Sequence, residues 1–240
     1  MDDRLFARIG SISAGVVGAL SLLYAIAYLG ITPADQRGSD VDKFFRSYLA
    51  HPTGLRLAAF CLFVSGLVSG VAVIALIGRI TRGRPANQAL AWSAIVAVIA
   101  GLATSAHGLG DLVGVDKLAH RYATGDAATK AAVAVVHVTP SAVDPRGLAT
   151  FAAAGLVALA IGVALRPERP RLGLLGMALG FDMALLFVAN AVGINALVLL
   201  TGALASVVLG PVWWFALARL LWATDAAARA PISVSGAAGI

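Results

Sequence analysis

Few side chains in this 240-residue sequence could carry chemistry, and four of them lie where a long apolar stretch ends or just beyond it. His107 and Asp111 are four residues apart, which places them on one face of a helix. Together with His120 and His137 they offer nitrogen and oxygen ligands that suit zinc or another transition metal. Their spacing matches no established metal motif, so the alternative is that they are ordinary surface or helix-end residues.

Asp182 is the most informative single residue, because it lies near the middle of an apolar run. An ionisable group in such a position is expensive and often serves ion or proton coupling. The alternatives are a protonated or hydrogen-bonded structural carboxyl group and a contact with another subunit. Asn190 and Asn195 follow on the same stretch of chain, where we expect them to cap helix ends, and they are further ligand or coupling candidates.

Motifs for well-known enzyme chemistries are absent from the sequence. It has no phosphate-binding loop, no dinucleotide fingerprint, no HExxH motif and no GxSxG motif. The single cysteine, Cys61, excludes a disulfide within the chain and a multi-cysteine metal site. We therefore expect a non-enzymatic protein, and we assign no catalytic residue and no cofactor.

Membrane spans are the elements that must position these residues. The chain is 60% hydrophobic and only 12% charged, whereas soluble domains carry about 25% charged residues. This composition excludes an ordinary soluble domain and a disordered chain. Stretches of about 20 apolar residues are long enough to span a bilayer. Six occur, at 10–30, 57–78, 89–110, 148–165, 172–192 and 195–222.

The predicted fold is therefore all-α, a six-helix transmembrane bundle in which residues 1–240 form one integral membrane domain. Arg4 and Arg8 precede the first span, as basic residues precede the apolar run of a secretory signal, but this apolar run is longer than the usual signal and favours an uncleaved helix. Pro211 predicts a kink in the last span. Small residues at four-residue spacing predict close helix packing within the bundle or, alternatively, a homodimer or subunit contact. They are Gly66 and Gly70, Gly176 and Gly180, and Gly202, Ser206 and Gly210.

Two longer segments between spans, 31–56 and 111–147, carry amphipathic patterns. A capping-box-like sequence from Ser39 to Asp42 precedes an apolar helical stripe that ends at His51–Pro52. We expect this helix to lie at the bilayer interface, with a lid over the bundle as the alternative. A second helix is predicted from Ala127 to Val138, ended by Pro140.

The charge distribution predicts the orientation. An even number of spans puts both termini on one face, which carries ten basic and four acidic residues, whereas the other face carries eight and seven. The two short loops on the first face, 79–87 and 166–171, hold three arginines each, which is typical of cytoplasmic loops. We therefore place both termini in the cytoplasm. The net charge of +6 is then a topology signal, and no nucleic-acid partner is expected.

In layout, the chain resembles uncharacterised bacterial families with six transmembrane helices. The resemblance rests on Ala7-Arg8-Ile9-Gly10 at the first span and on the segment Tyr122–Ala132 in the outer region. It implies a multi-pass protein of the bacterial plasma (inner) membrane, and it does not imply any particular activity. The lipid bilayer is the expected partner, with other membrane subunits or a homo-oligomer as further candidates.

Three functions remain open on the sequence alone. The first is a non-enzymatic subunit of a membrane complex or a protein that binds a lipid or apolar ligand. The second is a small secondary transporter that uses Asp182 for ion or proton coupling. The third is a membrane enzyme or metal-binding protein that uses the outer histidines and Asp111.

Overall fold

The computed structural model describes residues 3–29, 40–82, 87–139 and 143–227, which form eight helices. Five of them are regular throughout: α1 (Asp3–Leu29), α2 (Val41–Ala50), α3 (Thr53–Thr81), α5 (Ala127–Val138) and α7 (Pro170–Val192). α4 (Gln88–Thr124) is the longest. α6 joins a 3₁₀ turn (Pro145–Gly147), a π-helical stretch (Leu148–Ala153) and an α-helix (Ala154–Leu165). α8 joins Asn195–Ala203, a π-helical stretch (Leu204–Leu209) and Gly210–Ala227.

Six of these helices are long and apolar enough to cross a membrane, and all described regular structure is helical. They are α1, α3, α4, α6, α7 and α8, so the predicted all-α six-helix bundle is confirmed. The chain is a multi-pass integral membrane protein. The bounds differ most in α4, which does not end near residue 110 but continues to Thr124. At 1.5 Å per residue its 37 residues extend roughly 55 Å, well beyond a hydrocarbon core of about 30 Å.

The bundle is built mainly from neighbouring pairs of helices. α1 packs against α3 and α8, α3 packs against α4, and α6 packs against α7. α4 also contacts α6, and α7 contacts α8. The apolar core lies where α3, α6 and α8 meet, with Leu76, Ile161 and Leu221 almost completely buried. The helices therefore share one core rather than forming separate hairpins.

Glycines allow two of these pairs to approach backbone to backbone. A β-carbon added to Gly101 of α4 would lie 2.6 Å from the carbonyl oxygen of Gly66 in α3. One added to Gly180 of α7 would lie 2.5 Å from the carbonyl oxygen of Gly155 in α6. Such contacts confirm internal packing for the small-residue patterns of the second and fifth spans.

The glycines of the last span do not form such close contacts with a neighbouring helix. The nearest side chain to a β-carbon added to Gly202 would be Leu186, at 4.0 Å, and one on Gly210 would meet only its own helix, at Ala205. Gly210 adjoins Pro211, and its N–H donates to the Ala205 carbonyl in a π-helical register. Because proline cannot donate a backbone hydrogen bond, the irregularity expected at Pro211 takes the form of a π-helical stretch one turn earlier.

A tight connection at Gly193 joins α7 to α8, as expected from predicted spans at 172–192 and 195–222 that leave only residues 193 and 194 between them. Gly193 has a φ of +85°, and its N–H and that of Ile194 both donate to the Ala189 carbonyl at 2.9 Å. This is the hydrogen-bond pattern of a glycine-terminated helix. The two helices therefore form a hairpin with almost no loop.

An outer layer covers the projecting part of α4. Phe44, Phe45 and Tyr48 of α2 are buried against Ala119 of α4 and Val133 of α5. The apolar stripe of α2 thus packs on protein, which corrects the expected placement against the bilayer and fits the lid alternative. α5 has the bounds that the sequence predicts.

The N-cap of α2 lies within the predicted capping-box sequence. The N-cap is Asp40, whose Oδ1 accepts the N–H of Asp42 at 2.9 Å and of Lys43 at 3.3 Å. Ser39, Arg84, Pro140 and the tail beyond residue 227 lie outside the described residues. The predictions that involve them are therefore not tested.

Candidate functional site

A partly open cavity of about 110 Å³ lies between the helices of the bundle, with lining residues from α3, α4, α6, α7 and α8. The lining is almost wholly apolar and includes Ala100 of α4, Val157 of α6, Leu179 of α7 and Trp214 of α8. The small side chains of α4 and α6 leave this space, because alanine fills much less volume than the leucines and tryptophans opposite. Apolar cavities of about 150 Å³ bind benzene or xenon, so this central cavity can accommodate a small apolar group.

The lining residues that carry polar groups are Ser69 of α3 and Thr104 of α4, with hydroxyls, and Trp213 and Trp214 of α8, with indole N–H groups. Ser69 Oγ donates to the Gly66 carbonyl at 3.0 Å, and Thr104 Oγ1 donates to the Ala100 carbonyl at 2.8 Å. Both hydrogen bonds run back along the same helix, as is usual for serine and threonine in apolar surroundings. Each hydroxyl oxygen retains acceptor capacity.

A buried carboxyl group, Asp144, is linked to this cavity through one side chain. Asp144 is only 1% exposed and accepts the N–H groups of Ala149 at 2.7 Å and Thr150 at 3.2 Å. It also accepts the Thr150 hydroxyl, and Thr150 Oγ1 lies 3.0 Å from Thr104 Oγ1. Asp144 therefore satisfies free N–H groups at the start of α6, where a helix favours negative charge.

The backbone next to Asp144 turns sharply to make this cap. Arg146 has a φ of +55° and Gly147 a φ of +78°. Arg146 donates to the carbonyls of Asn190 and Ala191 at the end of α7, and Asn190 Nδ2 donates to the Arg146 carbonyl at 2.8 Å. These reciprocal bonds hold the start of α6 against the end of α7 on the outer side of the cavity.

Asn190 and Asn195 therefore do not play the capping roles expected of them. α7 ends in Gly193, and the residue before α8 is Ile194, without a side-chain cap. Asn190 binds the backbone of Arg146 instead, whereas Asn195 is the exposed first residue of α8. The sequence offers no way to anticipate the Asn190 bond, because Arg146 lies 44 residues away.

Asp182 lies on α7 and is 6% exposed. Its Oδ2 is the only buried side-chain nitrogen or oxygen among the described residues that has no hydrogen-bond partner. Along α7, Asp182 lies between Gly176 and Leu186. Gly176 contacts Trp213 of α8, and Leu186 lies near Gly202 of α8. The π-helical stretch of α8 occupies the interval between those two contacts. Asp182 does not line the central cavity, although Leu179 and Met183 do.

The predicted histidine set is only partly brought together. His107 Nε2 lies 3.4 Å from Asp111 Oδ2, as their spacing predicts. His120 is exposed on α4, more than three turns further along the helix. His137 packs on Phe44, with 4.3 Å between the centroids of the two rings. Nowhere in the described ranges do three or more His, Cys, Asp or Glu side chains group as a metal site would require. The pair His107–Asp111 is thus an ion pair or hydrogen bond on one helix.

The outer layer also contains a cluster of polar side chains that the sequence did not predict. Tyr48 of α2 is buried beside Arg56, which donates to the Tyr48 hydroxyl at 3.3 Å and to Asp116 of α4 at 2.5 Å. Burial raises the pKa of Tyr48 above its ordinary value, with Arg56 acting in the opposite direction. The tyrosine is therefore neutral at physiological pH, and the group joins the outer layer to α3 and α4.

No protein-family model, curated protein or solved structure matches the chain.

The residues around the cavity were missed because their signal is not local. Ser69 and Thr104 are ordinary small polar residues within apolar spans, and only the packing of five helices places them at one space. Asp144 did carry a signal: it precedes Pro145 and Gly147, as a residue at a helix start often does. The position of Asp144 just before a predicted span could therefore have indicated that it caps the helix.

Proposed function

We propose that this integral membrane protein binds a small apolar ligand, or the apolar part of a lipid, in the central cavity. The observation that carries the proposal is the cavity itself, whose lining comes from five of the six spans. Protein interiors are packed to near-crystalline density, so a space of about 110 Å³ at the shared core is a departure from ordinary packing.

The polar contacts around the cavity support binding rather than catalysis. Ser69 and Thr104 are hydrogen-bonded within their helices, and neither has a base or acid that could activate it as a nucleophile within the lining. Nucleophilic catalysis needs such a neighbour within hydrogen-bond distance. A non-enzymatic ligand-binding role therefore fits the described side chains best.

Filling the cavity tests this function. Ala100→Leu places a larger side chain at a buried lining position, whereas Ala106→Leu makes the same change at an exposed position of the same helix. Calorimetric titration with toluene in lipid nanodiscs should show saturable binding for the wild type and for Ala106→Leu. Ala100→Leu, or Ala100→Val if the larger change impairs folding, should lose at least 10-fold in affinity. Equal toluene binding by the wild type and both cavity variants would contradict the proposal.

Asp182 favours a second candidate function, ion- or proton-coupled transport. A carboxyl oxygen buried in a span without a hydrogen-bond partner is costly, and such residues commonly mark ion pathways. In proteoliposomes with an internal pH-sensitive dye, this function predicts a proton flux that Asp182→Asn abolishes and that Ala106→Leu, a change at an exposed position of α4, leaves unchanged. Equal fluxes from the wild type and Asp182→Asn would remove Asp182 from the role.

We further propose that the chain is a bacterial plasma-membrane protein with both termini in the cytoplasm. The arginines of the two short loops and the resemblance to bacterial six-helix families support this orientation. Assembly with other subunits or into a homo-oligomer stays a prediction. Reporter fusions at the two termini test the topology: a cytoplasmic reporter should be active at both ends, and activity of a periplasmic reporter at either end would contradict it.

A further inference from the structure

We infer that the ligand of the central cavity is an apolar molecule, of about the size of a single ring, that carries one hydrogen-bond donor such as an alcohol or phenol hydroxyl. This inference rests on the proposed binding function and specifies its ligand class. It follows from where the hydroxyl hydrogens around Ser69 and Thr104 point.

The hydroxyl hydrogens of Ser69, Thr104 and Thr150 are all donated to acceptors within the protein. Ser69 donates its one hydroxyl hydrogen to the Gly66 carbonyl. Thr150 donates its hydrogen to Asp144, which is a pure acceptor when ionised. The contact between Thr104 and Thr150 at 3.0 Å must therefore use the hydrogen of Thr104, which it shares with the Ala100 carbonyl.

The hydroxyl oxygens at the cavity consequently have acceptor capacity and no free hydrogen. A hydroxyl oxygen has two lone pairs, and Ser69 accepts no hydrogen bond from the described residues. A ligand that brings its own O–H or N–H completes this arrangement at α3 and α4. A ligand that offers only an acceptor finds no hydrogen at these hydroxyls, and the donors of the lining are then the indole groups of Trp213 and Trp214 on α8.

The rest of the lining sets the shape of the ligand. Trp214, Ile161 and Leu217 provide apolar and aromatic surface, and the volume of about 110 Å³, somewhat below the roughly 150 Å³ that holds benzene, favours a compact group such as a single ring over a long chain. A ring with one donor group can place the donor toward α3 and α4 and the apolar body toward α6 and α8. The two sides of the cavity therefore match the two parts of such a ligand.

A comparison of phenol with toluene tests the inference, because the two differ by a hydroxyl in place of a methyl group. Affinities are measured by calorimetry in nanodiscs for the wild type, Ser69→Ala and Thr104→Val. Each substitution should weaken phenol binding by about 3- to 10-fold, which corresponds to the loss of one neutral hydrogen bond, and leave toluene affinity within about 2-fold. The affinity of each ligand is compared between variants, so the partitioning of that ligand into lipid cancels. Thr150→Val is the matched control, since it removes a hydroxyl beside the cavity and retains both lining hydroxyls.

The outcomes separate the inference from the function on which it rests. Saturable binding of both probes, with phenol and toluene weakened equally by Ser69→Ala and Thr104→Val, would overturn the donor requirement and leave the binding function in place. Binding of neither probe by the wild type would overturn both. Loss of phenol affinity in Thr150→Val as large as in Thr104→Val would also contradict the assignment, since it would place the effect in the structure rather than at the ligand.

Discussion

At the scale of single residues, two buried carboxyl groups in this chain have opposite environments. Asp144 accepts hydrogen bonds from two backbone N–H groups and one hydroxyl, whereas Asp182 Oδ2 has no partner. A buried polar group is tolerated when it is hydrogen-bonded and is costly when it is not. The contrast indicates that Asp144 stabilises the fold, whereas the described residues give no stabilising hydrogen bond to Asp182 Oδ2.

This contrast predicts opposite effects of the same substitution. Asp182→Leu should raise the free energy of unfolding by about 1–3 kcal/mol, since it removes an unpartnered carboxyl group. Asp144→Leu should lower it by about 2–4 kcal/mol, since it leaves N–H groups of α6 without an acceptor. Denaturant titration of both variants in one detergent measures the two changes. A loss of stability in Asp182→Leu as large as in Asp144→Leu would show a structural role for Asp182.

Asp126, the N-cap of α5, gives a pH-dependent prediction in the outer layer. Its hydrogen bonds with Thr129, including the backbone N–H at 2.8 Å, lower the pKa of the carboxyl group below its ordinary value. A lowered pKa contributes stability that is present above the unfolded-state pKa of about 3.9 and is lost as pH falls through the folded-state pKa. Hydrogen exchange in α5 should therefore be constant from pH 5 to 8, apart from the intrinsic rate, and protection should fall below about pH 4.

Asn at the same position provides the control for Asp126. Asparagine caps helices almost as well as aspartate but does not titrate in this range. Asp126→Asn should keep the protection of α5 and lose its decrease at acid pH. An unchanged acid dependence in Asp126→Asn would assign the effect to other carboxyl groups.

At the scale of helices, glycine contacts decide how closely α3 and α4 approach. Gly101→Ala would place a β-carbon 2.6 Å from the Gly66 carbonyl oxygen and should force the helices apart. Gly114→Ala is a matched control on α4, because nothing lies within 4 Å of the added carbon. We expect Gly101→Ala to lower the free energy of unfolding by about 2 kcal/mol or more. Gly114→Ala should be neutral or stabilise by up to about 1 kcal/mol.

Thermal unfolding in detergent measures these two variants side by side. The helix propensity gained by replacing glycine with alanine is the same at both positions, so the difference between them isolates the contact with α3. Equal stability of the two variants would contradict the close approach of α3 and α4.

The sequence predicted the helices well because their signals are local. Apolar length identifies six spans, Gly193 marks the tight hairpin, and the α5 segment is bounded by Asp126 and Thr139. The length of α4 was underestimated because polar residues after Asp111 interrupt its apolar run without interrupting its helix. Where a helix leaves the membrane, hydropathy changes but backbone conformation does not.

The candidate site was mostly beyond the reach of sequence because it depends on contacts between distant residues. Asp182 stood out by its type in an apolar run, and the His107–Asp111 pair followed from four-residue spacing. The Arg146–Asn190 bonds and the cavity depend on the arrangement of five helices, which periodicity does not specify. The placement of α2 was wrong for the same reason: an amphipathic stripe indicates a buried face but not what covers it.

At the scale of the whole molecule, the bundle combines a shared core, an outer layer and an internal cavity. The outer layer fixes α2 and α5 to the projecting end of α4, and the Arg146–Asn190 bonds fix α6 to α7. The second of these attachments joins two of the helices that line the cavity. The account therefore centres on a cavity that is maintained by the fold and available to a ligand.

A structure determined with bromobenzene tests that claim most directly, because the bromine atom is identified by its anomalous scattering. The account predicts bromine between Ala100, Val157 and Leu217 in the wild type and none there in Ala100→Leu. Bromine found only on the lipid-facing surface of the wild type, with none inside the bundle, would contradict it.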